Sequence, residues 1–196
     1  TIASASDDKT VILWDKEGKF LQTLSGHDAL IKSVKFSIDG KTIATASEDN
    51  TVILWSKSGK RPKKLEADMP PVWNIAWSRD GNTIAHGTHD NTIKLWNKQG
   101  KALKDLKEPN VLVPVISVAW SPDGNTIASG SYDGAVKLWN KDFQQPKTLK
   151  EHKAPVWSIA WSPDGNTIAS GSWDNTVKLW NKDSQQPKTL KGHKAK

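Results

Sequence analysis

The chain has 196 residues, 36% hydrophobic and 25% charged, with 28 Lys and Arg against 21 Asp and Glu, a formal charge of +7 and no cysteine. This is the profile of a soluble globular domain with a real core; it excludes disulfides, thiolate metal sites and a cysteine nucleophile, and no stretch approaches the roughly 18 apolar residues of a membrane helix. The basic excess leaves nucleic acid or an acidic partner open, and its distribution has to decide.

Taken in chain order, the predicted elements repeat. A phrase beginning Thr-Ile-Ala opens strands at Thr1, Thr42, Thr83, Thr126 and Thr167, at spacings of 41, 41, 43 and 41. These mark five copies of one unit, over 1–41, 42–82, 83–125, 126–166 and 167–196. Residues 126–154 and 167–195 agree at 24 of 29 positions, as recent tandem duplication or consensus construction would leave them. The fullest copy reads PVWSIAWS, PDGN, TIASGSW, DN, TVKLWNK, a Gln-Gln-Pro loop and KTLKGH. Its period of two, broken by turns, predicts four antiparallel strands and no helix. Asp-Gly pairs at Asp39, Asp80, Asp123 and Asp164 are hairpin signals, since glycine accepts the positive φ such turns demand. Val, Ile and Trp mix with small Ala, Gly and Ser on both strand faces, which suits sheets stacked face to face.

Gly26-His27, Gly192-His193, the Ser-Pro-Asp-Gly turns at 121–124 and 162–165, and an Asp six residues before a Trp in every copy carry a resemblance to the WD-repeat β-propellers. The resemblance covers the whole chain. It implies an all-β fold of four-stranded antiparallel blades, with strands a to d counted outward from a central channel and the d–a and b–c loops on the top face. About five blades fit this chain. It opens at strand b and ends in GHKAK, so eleven positions equivalent to 156–166 separate Lys196 from Thr1 in register. The expectation is part of a larger propeller, with a ring completed by another copy as the alternative.

Ser170, His152 and Asp174 have the composition of a hydrolase triad. The resemblance implies instead a buried structural tetrad of loop His, strand-b Ser or Thr, turn Asp and strand-c Trp. His27, Thr45, Asp49 and Trp55 match it, as do His152, Ser170, Asp174 and Trp180, with 22 residues from His to Asp in both. The other copies are partial. Asp68 stands at the His position and His86 at the Ser position beside Asp90 and Trp96, which means either a rewired tetrad or a weak blade. Ser129, Asp133 and Trp139 have no loop His, and their loop, KEPNVLVP, is two residues longer, suggesting a less rigid connection or a partner contact. Ser4, Asp8 and Trp14 lack a His, while His193 lacks the rest.

Two positions vary where the framework does not. Before the turn Asp stand Asp7, Glu48, His89, Tyr132 and Trp173; in strand a, four residues before its closing aromatic, stand Lys32, Trp73, Ile116 and Trp157. The resemblance places both sets on the top rim, where such proteins contact partners. Trp173, Trp157, Tyr132, Ile116 and Trp73 then form an aromatic-apolar arc facing Asp7, Glu48 and Lys32, with His89 at the same rim. Trp77, Trp120 and Trp161, which end strand a, read as core.

Lys57, Lys60, Arg61, Lys63 and Lys64, with Lys141, Lys147, Lys150, Lys182, Lys188 and Lys191, fall in c–d loops and strand d, away from the arc. There they guard sheet edges or, less simply, touch phosphate. The sequence therefore points to a non-catalytic scaffold or sensor module that binds a protein or peptide, with a basic nucleic-acid or anionic-surface binder as the alternative. The resemblance adds that such arrays accompany signalling enzymes. No cofactor, metal or membrane insertion is expected, oligomerisation or further blades remain open, and a cytoplasmic setting fits the absence of cysteine.

Overall fold

The computed structural model describes residues 1–196 except 59–61, 67–70, 109–110, 141–145, 182–185 and 196. Its described residues form 19 strands in five antiparallel sheets. The first sheet is three-stranded: β1 (Ile2–Ala5), β2 (Thr10–Trp14) and β3 (Phe20–Ser25). The second joins β4 (Ile31–Phe36), β5 (Thr42–Ser47), β6 (Thr51–Ser56) and β7 (Lys63–Glu66). The third joins β8 (Ile75–Trp77), β9 (Thr83–Gly87), β10 (Thr92–Asn97) and β11 (Leu106–Lys107). The fourth runs through β12 (Val115–Trp120), β13 (Thr126–Ser131), β14 (Ala135–Asn140) and β15 (Lys147–Lys150). The fifth holds β16 (Val156–Trp161), β17 (Thr167–Ser172), β18 (Thr176–Asn181) and β19 (Lys188–Lys191). Each strand pairs with its sequence neighbour, giving propeller blades, and each four-stranded sheet takes its first strand from the sequence unit before it.

Local chemistry sets the hairpins. In the a–b turns Ser37 Oγ donates to Asp39 Oδ1 at 2.6 Å, and that oxygen also accepts Lys41 N–H at 3.0 Å while Gly40 takes φ 66°. The same Ser–Asp bond recurs at Ser78–Asp80, Ser121–Asp123 and Ser162–Asp164. In the b–c turns the residue after the tetrad Asp is left-handed: Asn50, Asn91, Gly134 and Asn175. Asparagine and glycine tolerate that region best. Lys9 occupies it in the first sheet at φ 71° without either advantage.

The core lies between sheets. Ala44, Ala46, Val52, Leu54 and Leu65 of the second sheet pack against Ile75 and Ile84 of the third and Val72 just ahead of it, with Trp77 and Trp96 partly buried beside them. Equivalent sets fill the other gaps. One sheet offers a small, smooth face and the next drives its β-branched and aromatic side chains into it, which is why both strand faces are apolar. The strand-a tryptophans are half-buried clamps in these seams: Trp161 Nε1–H donates to the Ala119 carbonyl at 3.2 Å, and Trp77 to Lys35 at 3.4 Å.

Strand a carries one irregularity. In the second sheet Ile31 pairs with Ser47 but Ser33 with Ala46; the shift recurs between Val115 and Ser117 and between Val156 and Ser158. Lys32, Ile116 and Trp157 are therefore the extra residues of β-bulges, released from the pleat and re-aimed.

Candidate functional site

Both complete tetrads assemble. His27 Nδ1 lies 2.8 Å from Asp49 Oδ2, its Nε2 lies 2.7 Å from Thr45 Oγ1, and Trp55 Nε1–H donates to the same hydroxyl at 2.9 Å. In the fifth sheet His152 stands 2.8 Å from Asp174 and 2.7 Å from Ser170, which accepts Trp180 Nε1–H at 2.8 Å. Burial pushes the His27 pKa down and favours neutral imidazole. Burial raises the Asp49 pKa, but hydrogen bonds from Thr51, the Asp28 N–H and His27 outweigh it and hold the carboxyl below its ordinary range. Asp174 is also lowered: burial opposes the shift, and Thr176, His152 and the Lys153 N–H produce it.

Ser170, His152 and Asp174 thus have the bond order of a nucleophilic triad, yet Ser170 is fully buried and its oxygen is occupied by Trp180. A nucleophile must reach a carbonyl carbon, and this one has no open side. The matching Thr45 is equally buried. The arrangement holds a loop, a turn and two strands together.

The other copies solve the same packing problem differently. His86 does not bond to Asp90; it stacks on Trp96 with centroids 6.4 Å apart and planes within 9°, and burial lowers its pKa to about 4. Trp96 Nε1–H is left without an acceptor among the described residues. Asp90 instead takes Lys107 at 2.7 Å. Asp68 lies outside the described residues. In the fourth sheet Trp139 Nε1–H reaches Ser129 at 2.9 Å, and Asp133 faces Lys150 at 3.6 Å where the complete copies have a histidine. Lys137, buried on strand c, makes an ion pair with Glu108 of the long loop and lies 3.4 Å from Asn91 of the third sheet. Sequence reasoning missed this pair. The signal was a Lys at the position where the second sheet has Ile53, together with an acidic residue in the longer loop that lacks histidine. In the first sheet Trp14 Nε1–H donates to Ser4 at 2.9 Å and Asp8 is held by Thr10, while His193 is exposed at the far end.

The variable positions meet at the top rim. Trp173 N–H donates to the Pro155 carbonyl at 3.0 Å, Tyr132 N–H to Pro114 at 2.9 Å and Glu48 N–H to Leu30 at 3.0 Å. Each bond sets the residue before the turn Asp beside the bulge of its own sheet. Trp157 and Trp173 therefore meet at a tilt of 32°, with centroids 4.6 Å apart, and Trp73 meets Trp157 edge-on at 5.7 Å and 86°. Trp73, His89, Pro114, Ile116, Tyr132, Trp157 and Trp173 line one open cavity of about 530 Å³. Tyr132 and Trp173 are exposed on it, whereas Ile116 is buried in its wall. Across the rim Lys32 Nζ sits 3.2 Å from Glu48 and 3.6 Å from Asp7, tying the first two sheets together.

The described lysines of the c–d loops and strand d stand elsewhere. Lys64 faces Asp28 at 3.6 Å and Lys63 bonds the Gln99 carbonyl, while Lys188 and Lys191 are exposed on the outer strand β19. Lys60, Arg61, Lys141 and Lys182 lie outside the described residues. Among the described residues no group of His, Cys, Asp and Glu is arranged to hold a metal ion, and no helix is long and apolar enough to cross a membrane.

Among curated proteins none matches this chain. A family model described as the IFT122 first beta-propeller matches residues 1–196. With five antiparallel sheets built on a WD-like repeat, the chain belongs to the IFT122 first beta-propeller family.

Proposed function

We propose that this propeller is a non-catalytic interaction module that holds a protein or peptide partner at its top rim. The observation that carries the reading is the cluster of Trp73, Trp157 and Trp173 around the 530 Å³ cavity. Nothing in the tetrad framework requires those indoles, and aromatic side chains gathered at an open concavity are the composition of interface hot spots. The membership of a propeller family supports a scaffold role, and the buried Ser170 supports the absence of hydrolytic chemistry.

A photo-crosslinking residue at position 132, compared with one at position 188 on the outer strand, tests the reading in extract from source cells. Discrete adducts at the rim that disappear in Trp173→Ala support it; equal labelling from both positions sinks it. The basic nucleic-acid alternative draws on the lysine rows, but Lys64 and Lys150 face carboxylates and the rim aromatics lie apart from these rows.

A further inference from the structure

We infer that the aromatic cavity at the top rim is a cage for a trimethylated lysine side chain of the partner polypeptide. The inference rests on the rim reading proposed above and names the chemical group that the rim selects.

The walls come from the third, fourth and fifth sheets and their top loops. Trp73, Tyr132, Trp157 and Trp173 supply aromatic surface, and Ile116 and Pro114 supply aliphatic surface. Trp73 stands at 86° to Trp157, so these two indoles form walls close to a right angle; Trp173, tilted by 32° on Trp157, extends the second wall. The enclosed volume of about 530 Å³ falls in the range of small-ligand sites, roughly 300–1,000 Å³.

Electrostatics narrows the class of occupant. Aromatic rings carry negative potential on their faces, so they attract a cation and repel an anion. No carboxylate lines the cavity, whose remaining wall residue is His89. Asp7 and Glu48 stand across the rim, engaged by Lys32 at 3.6 and 3.2 Å. An ordinary lysine ammonium has three N–H donors and holds its water tightly. Moving it into this cavity strips that water and returns few acceptors, which is costly. An arginine side chain brings five donors and the same deficit. Three methyl groups remove the donors and keep the charge, so a quaternary nitrogen loses least on entry and keeps the whole attraction of the rings. Trp157 fits this class: its Nε1 is buried without an acceptor among the described residues, so a ligand meets its ring carbons and not its N–H.

A choline headgroup presents the same quaternary nitrogen, but its phosphate needs a lysine or arginine, and the cavity wall has neither. A lysine's apolar stem suits the Ile116 and Pro114 side of the cavity. Leu112, close ahead of Pro114 on the long loop, is 78% exposed and offers apolar surface to the flanking peptide.

The probe is the peptide Gly-Gly-Lys-Gly-Gly with unmodified lysine, with trimethyl-lysine, or with the neutral isostere in which a tert-butyl group replaces the trimethylammonium. Each is titrated into the isotope-labelled 196-residue chain and followed on the indole N–H resonances, which report weak binding directly. The trimethyl form is expected to bind roughly tenfold more tightly than either of the others. Trp73→Leu and Tyr132→Leu, each checked for an unchanged thermal melt, should bring it down to the level of the neutral form. The isostere comparison uses the unaltered chain, so it stands even if both variants unfold. Equal binding of the trimethyl and neutral forms makes the cavity a plain apolar socket and overturns the proposal, as does preference for unmodified lysine or no binding at all. Capture of phosphatidylcholine vesicles by a chain that ignores the peptide assigns the cage to a lipid headgroup and overturns it as well. Discrete cross-links from position 132 beside any of these failures leave the rim reading standing and sink this inference alone.

Discussion

The indoles of Trp157 and Trp173 meet at 4.6 Å, tilted by 32°, although one belongs to a bulge in β16 and the other follows β17. Two framework devices bring them there. The bulge turns Trp157 out of the pleat, and the Trp173 N–H bond to Pro155 holds the turn against the start of the same strand. Neither device depends on the identity of the side chain, so the rim can change composition while the blade beneath it stays the same.

That separation makes the first prediction. Trp173→Ala should cost the fold about 1 kcal/mol or less, since the side chain is partly exposed and outside the tetrad, yet weaken partner capture by about 2 kcal/mol if it is a hot spot. Trp157→Ala should act with it non-additively, because the two rings are in contact. Denaturant melts scored beside quantitative pull-down separate the two effects. Loss of folding with unchanged capture per folded molecule would show that the residue is packing.

Ser170→Ala and His152→Ala should each lower stability by roughly 1 to 3 kcal/mol, because each strands buried polar partners. Urea titration measures the loss. Ester turnover abolished in both variants without any loss of folding contradicts the structural role.

Acidification should act through His86. Its pKa falls from 6.5 unfolded to about 4 folded because of burial, so the unfolded chain binds the proton first. Stability from this group is fully present above about pH 6.5, declines as pH falls and is exhausted near pH 4, a loss on the order of 3 kcal/mol. Below that range Asp49, Asp90 and Asp174, whose pKa values are lowered, continue the decline as they protonate. His86→Ser, which places a hydroxyl as in the Ser129–Trp139 pair, should flatten the profile between pH 6.5 and 4. A profile unchanged in that variant assigns the acid sensitivity elsewhere.

Lys137→Met should destabilise the fold by about 2 kcal/mol, less than a fully buried broken pair, because Glu108 keeps some access to water. It also removes the link to Asn91 in the neighbouring sheet. A double-mutant cycle with Glu108→Gln measures the coupling, and an additive result denies the pair any role in holding the long loop.

If the lysine rows bound nucleic acid, affinity for a random duplex would fall steeply with salt and neutralising Lys63 and Lys64 would flatten the slope. Weak binding lost before physiological salt is the expected outcome of a filter-binding series. Sub-micromolar affinity that survives it would favour the nucleic-acid reading.

The sequence by itself determined the blade. Period-two strands, Ser-x-Asp-Gly turns and the 22-residue step from His to Asp are local or nearly local: the turn bond lies inside a single repeat and the His–Asp bond joins a repeat only to the next. It also marked the variable rim, because five different side chains beside an unchanging Asp cannot all serve one framework. What the tertiary structure decided lies between repeats or in departures from the pleat. The bulges that aim Lys32, Ile116 and Trp157 change strand register by one residue without a distinctive sequence mark. The stacking of His86 on Trp96 depends on burial, which spacing does not reveal: a neutral ring in apolar surroundings costs less than an unpaired charge. The Lys137–Glu108 pair and the close seat of Val156 on Gly130 arise only when one sheet is laid against another, since a side chain's neighbour across such a seam is some 26 to 29 residues away and is fixed by packing rather than by spacing.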